Sequence, residues 1–250
     1  MSDKSLDLFS QQASVYAATR PQYPQEWYEF LIKQCTGLDL AWEAGCGNGQ
    51  ATLALAHHFN RVIASDLSSE QIAHAPTISN VEFRVGAAEQ IELPAGSCNL
   101  VCTAQALHWF DLNRYWSEVQ RVLKRGGIFA TWGYNWNTVD PTIDSCIQEV
   151  LLAGLEKYWA SNNKLLWNGY RDIEFPFTKI EVPPISMPAR YNLYELFGLY
   201  RSMSGVQLRI QQEGDAFFND AFNVVKAQWG NPRLCKDTQW EFVTYCGRFQ

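Results

Sequence analysis

The chain has 250 residues, 47% of them hydrophobic and 14% aromatic, ample for one large core. Its 20 basic and 26 acidic residues leave a formal charge of −6 with no basic run or stripe, which disfavours a nucleic-acid substrate. No stretch approaches the ~18 consecutive apolar residues of a membrane span, the opening MSDKSLDLFSQQ lacks the pattern of a signal peptide, and Cys35, Cys46, Cys98, Cys102, Cys146, Cys235 and Cys246 form no C-x-x-C pair, so neither a disulfide framework nor a metal site is expected and the reducing cytoplasm is the expected setting.

Phe9, Ala13 and Tyr16 share one helical face, and Pro21 and Pro24 then break the chain before a helix over Gln25 to Gln34. Leu38 to Trp42 reads as a short apolar strand ending in an acid, Glu43. Gly45, Gly47 and Gly49 follow at every second position, and ATLALAHHF behind them is apolar at helical spacing. This is a strand, a tight glycine turn and a helix. Glycine lets the backbone approach a ligand closely, and a helix start offers unpaired N–H groups. A dinucleotide fingerprint, G-x-G-x-x-G, would put its third glycine where Gln50 stands, and Glu43 would repel a pyrophosphate. A cationic ligand would tolerate that acid. The alternative is an ordinary turn with loose glycines.

Arg61 to Ser65 is a second strand, with Asp66 at its end. Asp66 stands about 20 residues beyond Gly45, the spacing of a carboxylate that accepts from both ribose hydroxyls. The competing reading makes Asp66 the N-cap of the following helix, DLSSEQIAHA. Asn80 to Val85 alternates as a third strand, and Leu93 to Ser97 is a turn. Cys98 to Ala106 is a buried fourth strand that delivers Gln105-Ala106-Leu107-His108-Trp109-Phe110-Asp111 to the carboxyl edge of the sheet, where open α/β sheets bind ligands. His108 there is a candidate general base or acceptor-positioning group. Leu112 to Leu123 is an amphipathic helix with Trp116, Val119 and Leu123 on one face, Lys124 to Gly127 ends it with glycines as C-cap, and Ile128 to Trp132 is a fifth strand. Residues 133–205 are rich in aromatics, most of which must pack. They hold a helix over Asp144 to Trp159, a strand over Phe175 to Val182 and a helix over Leu193 to Met203. A helix over 215–229 and a strand over Trp240 to Cys246 close the chain.

The run E-x-G-x-G-x-G from Glu43 resembles motif I of the class I S-adenosylmethionine-dependent methyltransferases. F-x-x-x-A-x-x-Y-x-x-x-R-P-x-Y-P, ending at Pro24, resembles the N-terminal segment of small-molecule members. Gly86 to Glu89 resembles their adenine-holding segment. Gln105 to Asp111 and Tyr200 to Gln207 resemble segments of trans-aconitate methyltransferase-like proteins, and Lys124 to Gly127 resembles L-K-P-G-G with Arg125 in place of proline. The resemblance implies an α/β, Rossmann-like sheet of seven mostly parallel strands, helices on both faces and the last strand antiparallel. It implies an N-terminal lid over 1–34, a cofactor-binding core over 35–134, an acceptor lid with the sixth strand over 135–205, and a C-terminal helix and strand over 206–250. S-adenosylmethionine would be the cofactor, with S-adenosylhomocysteine as product. Its expected contacts are Glu43, Gly45, Cys46, Gly47, Gly49, Asp66, Leu67, Ala88, Glu89, Gln105 and Ala106. On the acceptor side the expected residues are Tyr16, Arg20, Tyr23, Trp109, Trp132, Tyr134, Arg201 and Ser204, with His108 as the catalytic candidate and no metal.

The expected reaction is methyl transfer to a small molecule, with a carboxylic acid as the first acceptor class and a phenol, quinone or amine as the second. Arg20 and Arg201 are the carboxylate-binding candidates. A nicotinamide oxidoreductase and a catalytically silent S-adenosylmethionine-binding module are the readings from other classes. No membrane partner is expected.

Overall fold

A computed structural model describes residues 20–250. Tyr16, Phe9 and Ala13 lie outside the described residues. The expected helix over Gln25–Gln34 forms as α1, buries Trp27, Tyr28 and Leu31, and follows Pro24 directly. The described residues build an eight-stranded sheet in the order β3-β2-β1-β4-β5-β8-β6, with β7 paired to β8. Its strands are β1 (Leu40–Ala44), β2 (Arg61–Asp66), β3 (Val81–Val85), β4 (Cys98–Ala104), β5 (Leu123–Thr138), β6 (Thr178–Lys179), β7 (Met187–Tyr191) and β8 (Lys236–Arg248). β1 pairs in parallel with β2 and β4, β2 with β3, and β4 with β5. Chain order reverses between β1 and β4, so their carboxyl ends open the crevice where such sheets take ligands.

Side chains alternate across each strand, and two clusters result. Ala41, Val62, Leu100, Cys102, Ile128 and Ala130 pack on one face with Trp27 and Leu31 of α1 and with Ala51 and Leu55 of α2 (Gln50–Ala56). Trp42, Ile63, Val101 and Phe129 pack on the other with Tyr115, Val119 and Val122 of a later helix. Between these two helices lies α3 (Ser69–Ala73). The later helix is α4 (Leu112–Val122), so the buried stripe is shifted from the expected Trp116-Val119-Leu123 face.

The chain divides into two compact units by its internal contacts. One comprises Tyr23–Asn135, Asn162–Ile185 and Phe242–Gln250. The other contains Trp136–Ser161 and Ser186–Glu241, with 20–22 as the described part of its N-terminal segment. In the first unit, Lys124 to Gly127 do not cap α4. The helix ends when Leu123 turns extended, its N–H bonded to the Val119 carbonyl. The four residues instead form an irregularity in β5: Cys98 pairs with Leu123 but Leu100 with Ile128. The sixth strand shrinks to Thr178–Lys179, antiparallel to β8. Helix α6 (Asn163–Trp167) also belongs to this unit.

In the second unit, α5 (Pro141–Ile147) is capped by Asp140, whose carboxylate accepts from the N–H groups of Thr142 and Ile143. Its helical path continues to Tyr158 through a π turn and a 3₁₀ turn, where the sequence periodicity predicts a single α-helix. The unit also holds α7 (Leu193–Arg201), α8 (Ser204–Glu213) and α9 (Ala216–Trp229). β7, which the periodicity does not predict, pairs antiparallel with the first half of β8. Its core includes Phe197, Tyr200 and Phe218, all buried, so these aromatics pack rather than line a surface.

Candidate active site

The glycine turn, Asp66, the 86–89 loop and the 105–109 bend all lie in the first unit. Gly45, Gly47 and Gly49 have φ of 68°, 55° and 92°. Two of them also have no room for a side chain. A Cβ on Gly45 would stand 2.7 Å from the Ala106 Cβ and 3.0 Å from the Phe110 ring, and one on Gly49 would stand 2.9 Å from the Phe83 ring. The turn is tied down by its own backbone. Cys46 N–H bonds to the Ser65 carbonyl at 3.0 Å, and Gly49 N–H bonds to the Cys46 carbonyl at 3.0 Å.

Asp66 knits two loops together. Its Oδ2 accepts from Gly47 N–H at 2.8 Å and its Oδ1 from Ser68 N–H at 2.8 Å. It does not cap α3; Ser68 does, accepting from Gln71 N–H at 3.2 Å. Each oxygen of an ionised carboxylate has a second lone pair, so Asp66 retains acceptor capacity for a diol. Leu67 beside it is 73% exposed, and Val85, which pairs with Asp66 across the β2–β3 ladder, is also exposed.

Glu43 is 1% exposed, and the Thr52 hydroxyl donates to its Oε2 at 2.5 Å. Burial pushes its pKa up to about 8, the Thr52 hydrogen bond opposes this, and the charge of Asp66 adds to it. Near pH 7 the side chain is therefore mostly a neutral acid, not the fixed negative charge that the sequence alone suggests. A nearby cation would favour its ionised form.

Ala88 is buried. Glu89 accepts from Asp111 N–H at 2.9 Å, which ties the 86–89 loop to the start of α4. Gln105, expected among the cofactor contacts, instead spends its side-chain amide on β5. Its Oε1 accepts from Tyr134 N–H at 2.8 Å and its Nε2 donates to the Tyr134 carbonyl at 3.1 Å. Its φ is 55°, unusual for a residue with a side chain.

His108 is 5% exposed, and burial drives its pKa down to about 4, so the imidazole is neutral at pH 7. Its Nδ1 has no hydrogen-bond partner among the described residues. The Asn162 side-chain amide donates to its carbonyl at 2.7 Å. Trp109 beside it is 54% exposed, with ring centroids 5.2 Å apart.

Trp132 departs from its expected place. It is fully buried, 5.6 to 6.0 Å from the rings of Trp27, Tyr28 and Tyr23, because even positions of β5 face the α1 side of the sheet. Tyr23 and Tyr134 are neighbours, 6.1 Å between centroids. In the second unit, Arg20 is exposed and Ser204 is the exposed first residue of α8. Arg201 is ion-paired to Asp215 at 3.3 Å and lies over the Phe218 ring, so its charge is already engaged. Sequence reasoning missed Thr52 and Asn162. Thr52, nine residues after Glu43 on the helix behind the turn, carries a weak signal; Asn162, remote in the chain, carries none.

Residues 42–131 match the family model described as a methyltransferase domain. A protein of Dictyostelium discoideum named as a methyltransferase is 34% identical over 203 residues, covering 80% of this chain and 77% of that one. The chain belongs to the class I S-adenosylmethionine-dependent methyltransferases. A structure from Anaeromyxobacter dehalogenans, named as a candidate type II methyltransferase, agrees at 32% identity and a TM-score of 0.84, covering 92% of this chain and 97% of that one. A Saccharomyces cerevisiae protein named as a candidate S-adenosylmethionine-dependent methyltransferase is 30% identical over 128 residues, 48% of this chain and 44% of that one. This methyltransferase is an enzyme whose cofactor is S-adenosylmethionine, and the nicotinamide reading falls. The matched span runs from β1 into β5 and contains the glycine turn, Asp66 and the bend. Among the described residues no helix is long and apolar enough to cross a membrane, and no cluster of metal-ligating side chains is present.

Proposed function

We propose that this methyltransferase holds its cofactor on the glycine turn and Asp66, and methylates a small carboxylic acid on oxygen. The residues present fit the cofactor. Gly47 leaves open space where a side chain would stand, with only Gln71 Oε1 at 3.8 Å, Asp66 has acceptor capacity for the ribose diol, and the exposed Leu67 and Val85 offer apolar surface for a planar base. Cys46, Gly47, Ala88 and Ala106 contribute backbone along the same edge. The buried Glu43 gives up its proton in favour of a cationic group. Bound there, S-adenosylmethionine supplies a methyl group on a sulfonium, already a good leaving group.

The observation that carries the acceptor class is the burial of His108, which is 5% exposed with its Nδ1 unpartnered among the described residues, so that desolvation keeps the imidazole neutral and weakly basic. A base with a pKa near 4 is poorly matched to removing a proton from a phenol or an ammonium, whose pKa values lie near 10. A carboxylate arrives ionised, with its nucleophilic lone pair free. A neutral imidazole can donate one N–H to such an oxygen and orient it without moving a proton. The protein's contribution is then alignment and exclusion of water, worth up to ~7–11 kcal/mol in favourable cases. The small size of the acceptor and the kinship with trans-aconitate methyltransferase-like proteins rest on the resemblance of the 105–111 and 200–207 segments.

Calorimetric titration with S-adenosylhomocysteine, with NAD as control, is the first test, and micromolar binding of the former alone is expected. Transfer of labelled methyl from S-adenosylmethionine to di- and tricarboxylic acids, phenols, quinones and amines then separates the acceptor classes. A base-labile product from an acid is the expected outcome. A base-stable product from a phenol, quinone or amine, with no labelling of acids, overturns it.

A further inference from the structure

The bend after β4 carries an unusual amount of side-chain hydrogen bonding to backbone. The last registered backbone pair of β4 with β5 is Ala104 with Trp132. Beyond it, Gln105 turns to φ 55°, a conformation strained for a residue with a Cβ. Its N–H bonds to the Trp132 carbonyl at 2.7 Å, and its side-chain amide exchanges both donor and acceptor with Tyr134. A side-chain amide thus continues the ladder one rung past the strand. β5 has a glycine beneath that amide. A Cβ at Gly133 would stand 2.5 Å from Gln105 Oε1.

The far end of the bend is held in the same way. Asn162 precedes α6, the position where an asparagine ordinarily accepts from its own helix. Its side chain makes no such cap. It donates instead to the His108 carbonyl at 2.7 Å. Between the two amides, Ala106 stands against Gly45, so the bend abuts the glycine turn.

We propose that Gln105 and Asn162 are positioning residues: their two side-chain amides hold the bend 105–108 at opposite ends and so set where His108 stands relative to the glycine turn. The consequence for catalysis rests on the acceptor-side role given to His108 above; the mechanical statement does not.

Gln105→Glu and Asn162→Asp are nearly isosteric, and each removes a donor. In the full-length protein, ring nitrogen shifts of His108 are followed by NMR from pH 4 to 8, alongside thermal unfolding and titration with S-adenosylhomocysteine. Both variants are expected to remain folded and to move the His108 ring signals, with its titration raised toward the ordinary histidine range. Asn162→Asp should keep the Kd for S-adenosylhomocysteine within about threefold of the parent. With an acceptor in hand, kcat should fall at least tenfold at little change in the KM for S-adenosylmethionine. Unchanged His108 shifts and titration in folded variants would overturn the proposal. Should a carboxylate prevent folding, Asn162→Ala at its half-buried position gives the same readout. If the parent protein fails to bind S-adenosylhomocysteine, the functional reading fails, while the His108 signals still decide this proposal.

Discussion

The turn after β1 and the bend after β4 sit side by side at the carboxyl edge of one sheet, and both leave the ordinary backbone range. The turn does so with glycines at φ 68°, 55° and 92°, which pay no Cβ penalty there. The bend does so at Gln105, a residue with a full side chain, held by hydrogen bonds to Trp132 and Tyr134. A glycine turn owes its shape to local freedom and is legible in the sequence. A strained bend owes its shape to partners on another strand and is not.

Three substitutions test that contrast, beginning with the largest effect. Gly45→Val should damage both loops at once, since its side chain would occupy space held by Ala106 and Phe110. Overpacking of this kind costs ~1–3 kcal/mol, with the positive φ adding about 1 kcal/mol or more. A lowered thermal midpoint and at least a tenfold loss of S-adenosylhomocysteine affinity are expected, and parental values for both would disprove the close packing of turn against bend. Asp66→Ala should affect the glycine turn and leave the bend alone. It frees Gly47 N–H and removes the acceptors proposed for the ribose, at ~1.5–3 kcal/mol for hydrogen bonds to a charged group. Calorimetry should show affinity falling about ten- to hundredfold, with the His108 ring signals unmoved; a change within twofold means the ribose assignment is wrong.

Glu43→Gln should have the smallest effect and alter neither loop's shape. Glu43 has a pKa near 8 in the folded protein against 4.5 as its ordinary value, so between those limits the folded state holds the extra proton. Its contribution to stability is complete below pH ~4.5 and is lost as pH rises through about 8. Unfolding midpoints of the parent should therefore decline relative to the variant across that window. Parallel curves would show that Glu43 is ionised throughout.

The same contrast runs through the chain at larger scale. In Tyr23–Asn135 the helix Gln25–Gln34, the five parallel strands and the connection from Glu43 to Asp66 follow from apolar alternation, helical spacing and glycine placement. In Trp136–Glu241 the reading is coarser. The helix over Asp144 to Trp159 changes winding twice, and β7 has no alternation strong enough to mark it. β7 is a strand because β8 supplies its ladder. The site divides likewise. The turn, Asp66 and His108 could be singled out by type and spacing, but the commitment of Gln105 to Tyr134, the burial of Trp132 and the reach of Asn162 to His108 could not.

The sequence by itself determined the parallel core, the glycine turn and the order of the segments that end its strands. Each of these depends on residues near one another in the chain, and side-chain period and backbone freedom are local properties. Only the tertiary structure decided that Ser68 rather than Asp66 caps α3, that burial pushes Glu43 toward its neutral acid and His108 toward its neutral base, and that the side chains of Gln105 and Asn162 bond to the backbone of Tyr134 and His108. Those outcomes depend on desolvation and on partners distant in sequence, and both come into being only when the chain has packed.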